Sequence, residues 1–181
     1  LPLLYYEDKH FYLDGVEGGI YLYENPLFRV SGLARLRFFD APKIWQNRLR
    51  GDILDWGGQL RYKATEKSWL DAEIMIDPVG ALHANLRYSS LIENGRFELN
   101  PYVNLRLKDS AFNSRYYALD WAGYESIDSS ADLQVGNRIR FHVKSNLYLL
   151  ASVEVGLLDH EVRKAEAVNS HVAASAFAGF G

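Results

Sequence analysis

Apolar and polar residues alternate along most of this chain with a period of two. Between Trp56 and Thr65, the positions Trp56, Gly58, Leu60, Tyr62 and Ala64 share one side, while Gly57, Gln59, Arg61, Lys63 and Thr65 share the other. Successive side chains of a pleated strand point to opposite faces, so this pattern predicts a strand with one apolar and one polar face. The pattern recurs. Phe28, Val30, Gly32, Ala34, Leu36 and Phe38 oppose Arg29, Ser31, Arg35 and Arg37; Phe97, Leu99, Val103, Leu105 and Leu107 oppose Glu98, Asn100, Asn104, Arg106 and Lys108; Leu133, Val135, Ile139, Phe141 and Val143 oppose Gln134, Arg138, Arg140, His142 and Lys144. About ten strands are expected, near 2–7, 10–24, 27–38, 56–65, 68–78, 81–91, 96–108, 131–144, 146–157 and 172–181. Most run to about ten residues or more, where ordinary globular strands average about five or six and a tilted membrane-crossing strand needs about 9–11. No stretch of comparable length keeps a helical period. The chain is all-β.

Turn signals separate the strands: Glu24-Asn25-Pro26, Asp77-Pro78, Asn94-Gly95 and Ser145-Asn146. Three connections are long, 39–55, 109–130 and 158–171, and they fall at the third, seventh and ninth places along the chain. In an up-and-down barrel odd connections lie at one end and even ones at the other, so all three long loops share one end and every even connection is tight. Outer-membrane barrels sort their loops in this way. The expected architecture is a single domain over 1–181, a transmembrane antiparallel up-and-down β-barrel in a bacterial outer membrane, closed by pairing 2–7 with 172–181.

Charge placement orients the wall. Lys9, Lys43, Lys67, Lys108, Lys144 and Lys164 sit at strand ends or in loops, whereas the polar rows within strands carry Arg29, Arg35, Arg37, Arg61, Arg87, Arg106, Arg138 and Arg140. The planar guanidinium suits pairing with carboxylates in confined space. An Arg on the lipid side of a barrel costs roughly 2–4 kcal/mol at the bilayer midplane, so the charged rows are expected to line the lumen. The expected polar core is Arg35, Arg61, Arg106 and Arg138 with Asp71, Glu73, Glu98 and Glu154. Tyr5, Tyr6, Tyr21, Tyr23, Trp56, Trp69, Phe97, Tyr148 and Phe180 lie near strand ends, where barrels carry aromatic girdles. A soluble barrel would place the same rows the other way round.

The chain has 48% apolar residues but no uninterrupted apolar run of membrane-helix length. A net charge of −3 without a basic cluster gives no footprint for nucleic acid. With Cys 0, disulfides and thiolate metal sites are excluded. The chain opens on Leu1-Pro2-Leu3 without Met, as a processed product would. His10, His83, His142, His160 and His171 show no metal-ligand spacing, and Ser89 and Ser90 carry no nucleophile signature. No catalytic residue, cofactor site or metal site is therefore expected. Asp71 and Glu73 are read as partners of lumenal Arg rather than as an acid pair. A wide pore is not expected either, since open channels belong to larger barrels.

The run Leu1-Pro2-Leu3-Leu4-Tyr5-Tyr6-Glu7, followed by Phe11-Tyr12-Leu13-Asp14-Gly15 and Gly18-Gly19-Ile20, resembles the start of the MipA/OmpV family of outer-membrane proteins. Ser110-Ala111-Phe112-Asn113-Ser114-Arg115-Tyr116-Tyr117 resembles that family's Tyr-Tyr segment, continuing as Ala118-Leu119 where Gly-Val is expected. Ala178-Gly179-Phe180-Gly181 is similar to its last strand. The resemblance implies a non-enzymatic envelope protein. One branch is described as a scaffold between a murein-cleaving transglycosylase and a murein synthase; others are associated with osmotic or antibiotic response and adhesion. The expected partners are outer-membrane lipid and murein-processing proteins. Phe112, Tyr116, Tyr117, Trp121 and Tyr124 form the expected partner loop, or alternatively a lid over the barrel mouth. A narrow channel for small solutes and a rim-site hydrolase are the other readings.

Overall fold

The computed structural model describes residues 4–37, 53–118, 126–144, 147–165, 168 and 170–180. Its strands are β1 (Leu4–Glu7), β2 (Phe11–Gly15), β3 (Glu17–Glu24), β4 (Phe28–Arg37), β5 (Ile53–Thr65), β6 (Ser68–Ile76), β7 (Leu82–Ser90), β8 (Ile92–Asn94), β9 (Phe97–Lys108), β10 (Ser130–Lys144), β11 (Leu147–Leu157) and β12 (Val172–Phe180). They form one antiparallel sheet in chain order, with the short β8 paired to β9 off the main path. Among the described residues two helices, α1 (Ser110–Tyr117) and α2 (His160–Arg163), lie in the connections after β9 and β11.

The strand count exceeds the expected ten for two reasons. The run 10–24 is a hairpin, turning at Gly15-Val16 so that Leu13 faces Gly18 and Asp14 faces Glu17. Gly15 sits at φ 65, a left-handed conformation that glycine adopts without a Cβ penalty. Beyond β7, the chain also makes the brief strand β8 before the Gly95 turn. The extra hairpin moves every later connection by one place, and 109–129 and 158–171 move together and still share an end, at which β4 ends and β5 begins. The contacts show it: Asp109 N–H donates to Leu82 O, and Ala131 N–H donates to Asp159 Oδ2. The Ser145-Asn146 turn and most of the 39–55 loop lie outside the described residues.

The sheet curls into a half-barrel. Across its concave side Arg138 of β10 reaches within 3.7 Å of Asp14 of β2. β1 and β12 are its edges, each paired on one side only among the described residues, so the expected closing pair is not among the observed pairings.

Burial along the strands is inverted relative to a water-soluble sheet. Ile74 is 65% exposed, Leu22 63% and Val135 54%, and Leu60, Leu86, Leu105, Leu133 and Val155 are exposed too. The side chains enclosed on the other face are mostly polar: Asp55, Asp71, Glu73, His83, Asn85, Asn104, Lys108 and Asp132 are all buried, with Leu33, Met75 and Tyr102 among them. Glycines let the wall close up: a Cβ on Gly57 would stand 1.9 Å from Ile74 O, and one on Gly136 would stand 2.4 Å from the Tyr102 ring.

Candidate functional site

The concave face carries one hydrogen-bonded chain across most of the sheet. Arg35 of β4 donates through Nε to Glu17 Oε2 on β3 at 2.7 Å and, through both terminal nitrogens, to Glu73 of β6 at 2.9 and 2.5 Å. Asn85 Nδ2 of β7 donates to the same Glu73 at 2.6 Å, and Asn104 of β9 donates to Asn85 Oδ1 at 3.1 Å. Asn104 also donates to Gln134 Oε1 of β10 at 2.6 Å. Gln134 in turn donates to Glu154 of β11 at 3.0 Å, and Tyr102 hydroxyl donates to the other Glu154 oxygen at 2.7 Å. Partners one or two strands apart meet because residues of equal parity face the same way and the curl shortens the distance between them. A buried polar network of this kind holds a fixed arrangement only when its members satisfy one another.

Further ion pairs flank that chain. Arg61 meets Asp71 at 2.6 Å, Arg37 meets Asp55 at 2.7 Å, and Arg140 meets Glu98 at 3.1 Å. Lys108 pairs with buried Asp132, and His83 Nε2 lies 3.8 Å from Asp55. Of the sequence-derived polar core, Arg35 and Glu73 are thus brought together, as are Arg61 and Asp71. Glu98 is taken by Arg140, Glu154 by Tyr102 and Gln134, and Arg138 by Asp14 on β2. Arg106 has no ion pair among the described residues; its guanidinium lies 5.7 Å from the Phe112 ring. Glu17, Asp55, Asn85, Asn104, Lys108 and Asp132 are network members that the sequence reading did not single out. Parity was the available signal: all but Lys108, which stands opposite His83 and Ser130, fall in register with a strand Arg or its partner.

The loop after β9 folds against one end of this wall. Asp109 caps α1 by accepting from Phe112 N–H at 2.6 Å. Phe112 and Tyr116, each 2% exposed, turn inward against Ala81, and the Arg37 guanidinium lies 4.7 and 4.2 Å from their ring centroids. The Phe112 ring meets His83 edge-on at 5.2 Å. Tyr116 hydroxyl donates to Asp77 in the β6–β7 turn. Burial alone would raise the Asp77 carboxyl, but the Tyr116 bond, the Ala81 and Val79 N–H donors and nearby Arg115 hold it below its ordinary value. Burial and the same bond raise the Tyr116 hydroxyl. Half-buried Tyr117 accepts from Lys108 Nζ at 3.3 Å. Of the expected partner loop, then, Phe112 and Tyr116 face inward, while Trp121 and Tyr124 lie outside the described residues. Among the described residues no cluster of His, Cys, Asp and Glu has the arrangement to hold a metal ion.

The family model described as MltA-interacting protein MipA matches residues 1–181, the whole chain. No curated protein and no solved structure matches it.

Proposed function

The chain belongs to the MltA-interacting protein MipA family, and from that premise we propose that it is a non-enzymatic β-barrel of the bacterial outer membrane that serves as an interaction protein for murein-processing enzymes. One observation carries the membrane reading. The convex wall exposes Leu22, Leu60, Ile74, Leu86, Leu105, Val135 and Val155, while the charged rows lie on the concave side, with Asp55, Asp71, Glu73, Lys108 and Asp132 buried there. Each large side chain left in water forgoes about 1.5–3 kcal/mol of burial, and a wall of them is stable only against an apolar phase. Outward apolar and inward polar rows are the pattern of strands facing lipid. In this reading Arg35, Arg61, Arg106 and Arg138 with Asp71, Glu73, Glu98 and Glu154 form the polar filling of the lumen, in one domain spanning 1–181.

The interaction role is supported by the family's name, MltA-interacting protein, and by the filling of the concave side, which leaves little room there for a substrate cleft. Binding then falls to the connections and rims. The loop end bearing α1 and α2 and the tight-turn end are distinct surfaces, and murein-processing partners must meet whichever faces the periplasm. The test is affinity capture from solubilised envelopes followed by binding to a purified murein transglycosylase. Saturable binding to the folded protein supports the reading; a folded, membrane-inserted protein that captures no murein enzyme contradicts it.

A further inference from the structure

The concave wall encloses a cavity of about 180 Å³ whose lining includes Arg29, Arg35, Arg61, Arg87, Arg138 and Arg140. Pockets for drug-sized ligands run to about 300–1,000 Å³, so this one suits a small ion and part of its hydration.

Five of these arginines have a carboxylate within ion-pair reach: Glu7 and Glu24 for Arg29, Glu17 and Glu73 for Arg35, Asp71 for Arg61, Asp14 for Arg138 and Glu98 for Arg140. Arg87 makes no ion pair among the described residues. Its Nε is sealed from solvent without a hydrogen-bond partner, and its guanidinium lies 4.9 Å from the Tyr102 ring. The strongest charges acting on it are those of Arg138 and Arg35, both repulsive, with Glu73 attractive. Glu73 is itself committed to Arg35 and Asn85, and the acid that the neighbouring Tyr102 hydroxyl meets, Glu154, is committed to Tyr102 and Gln134. Arg138 is held only loosely, 3.7 Å from Asp14, with about half its side chain exposed. An enclosed guanidinium without a counter-charge is costly, and an oxyanion relieves that cost through charge-assisted hydrogen bonds.

We propose that Arg87 and Arg138, on the strands either side of β9, form a binding site for a small oxyanion of the phosphate class in the concave cavity. Such a group arrives either as a free ion or as the head of an amphiphile. The site rests on the charged wall alone and stands whether or not murein enzymes bind the loops or rims.

The experiment titrates the detergent-solubilised, folded protein at constant ionic strength with inorganic phosphate and, separately, with dodecyl phosphate, read by calorimetry and by the unfolding midpoint. The expected result is saturable binding, at least tenfold weaker in Arg87→Gln and in Arg138→Gln and unchanged in Arg96→Gln, which lies in the β8–β9 turn. Binding of phosphate marks a free-ion site; binding of dodecyl phosphate alone marks a headgroup site. In phosphate-free buffer, Arg87→Met should unfold at a higher temperature than the parent, because an unpaired charge has been removed. Saturable binding of neither probe, or binding that both Gln variants retain, overturns the proposal. Should Arg87→Gln fail to fold, judged by heat-modifiable gel mobility, the exposed Arg138 position decides alone.

Discussion

Tyr116 of α1 donates its hydroxyl hydrogen to the carboxylate of Asp77, fastening the loop after β9 to the turn between β6 and β7. Both residues are almost wholly enclosed, and Asp77 Oδ1 is already occupied by the Val79 and Ala81 N–H groups. The bond therefore joins α1 to a distant turn whose carboxylate the Val79 and Ala81 N–H groups already hold in place. Tyr116→Phe should cost about 1.5–3 kcal/mol, the range for a hydrogen bond to a charged group. Urea unfolding should show that loss, and limited proteolysis should show faster cutting between 109 and 130.

The same contact should respond to acid. The Asp77 carboxyl is held below its ordinary value in the folded protein, so its contribution is complete above the ordinary carboxylate range and is lost as pH falls through the depressed folded value. Hydrogen exchange of the α1 amides should accelerate in that acid window. In Asp77→Asn, exchange should already be faster at neutral pH and should lose its acid step; an acid step of unchanged size in that variant would assign it to another group.

Ion pairs on the wall should differ sharply in worth. Glu73 accepts from Arg35 and Asn85 and its side chain is 4% exposed, whereas Lys67 and Glu93 pair at 60% and 53% exposure. Glu73→Gln leaves Arg35 underpaired in an enclosed site and should cost about 3–5 kcal/mol. Lys67→Gln should cost less than about 1 kcal/mol. Denaturant midpoints of the two variants, measured in the same micelles, check the order.

Close approach of strands makes a separate demand at Gly57. A Cβ there would overlap Ile74 O and crowd Met75 Sδ. Gly57→Ala should destabilise by about 1–3 kcal/mol through forced displacement. Gly58→Ala, whose added Cβ would meet only Ser31 O at 3.7 Å, should be mild by comparison in the same unfolding assay.

The period-two rows were legible from residues such as Leu60 against Arg61 because each strand carries its own pattern. The hairpin at Gly15-Val16 was missed although Asp14-Gly15 is a turn signal, since β-like residues continue on both sides of it. Helix α1 was also missed: Asp109 is a good cap, but eight residues with little amphipathic contrast give a weak helical signal. Arg35–Glu73 could be guessed from parity, whereas Arg138–Asp14 joins strands at opposite ends of the sheet. That pairing depends on how far the sheet curls, which no local pattern encodes.

Which wall faces lipid decides the account, and a chain with Cys 0 allows a clean test. Single cysteines replace Val103, Asn104, Leu105, Arg106 and Leu107 of β9, carry a spin label, and are measured in liposomes with oxygen and with a water-soluble nickel complex. The labels at 103, 105 and 107 should be oxygen-accessible and shielded from nickel, and those at 104 and 106 should show the opposite ranking. Nickel access at 103, 105 and 107, with the labels at 104 and 106 in the apolar phase, would contradict the account.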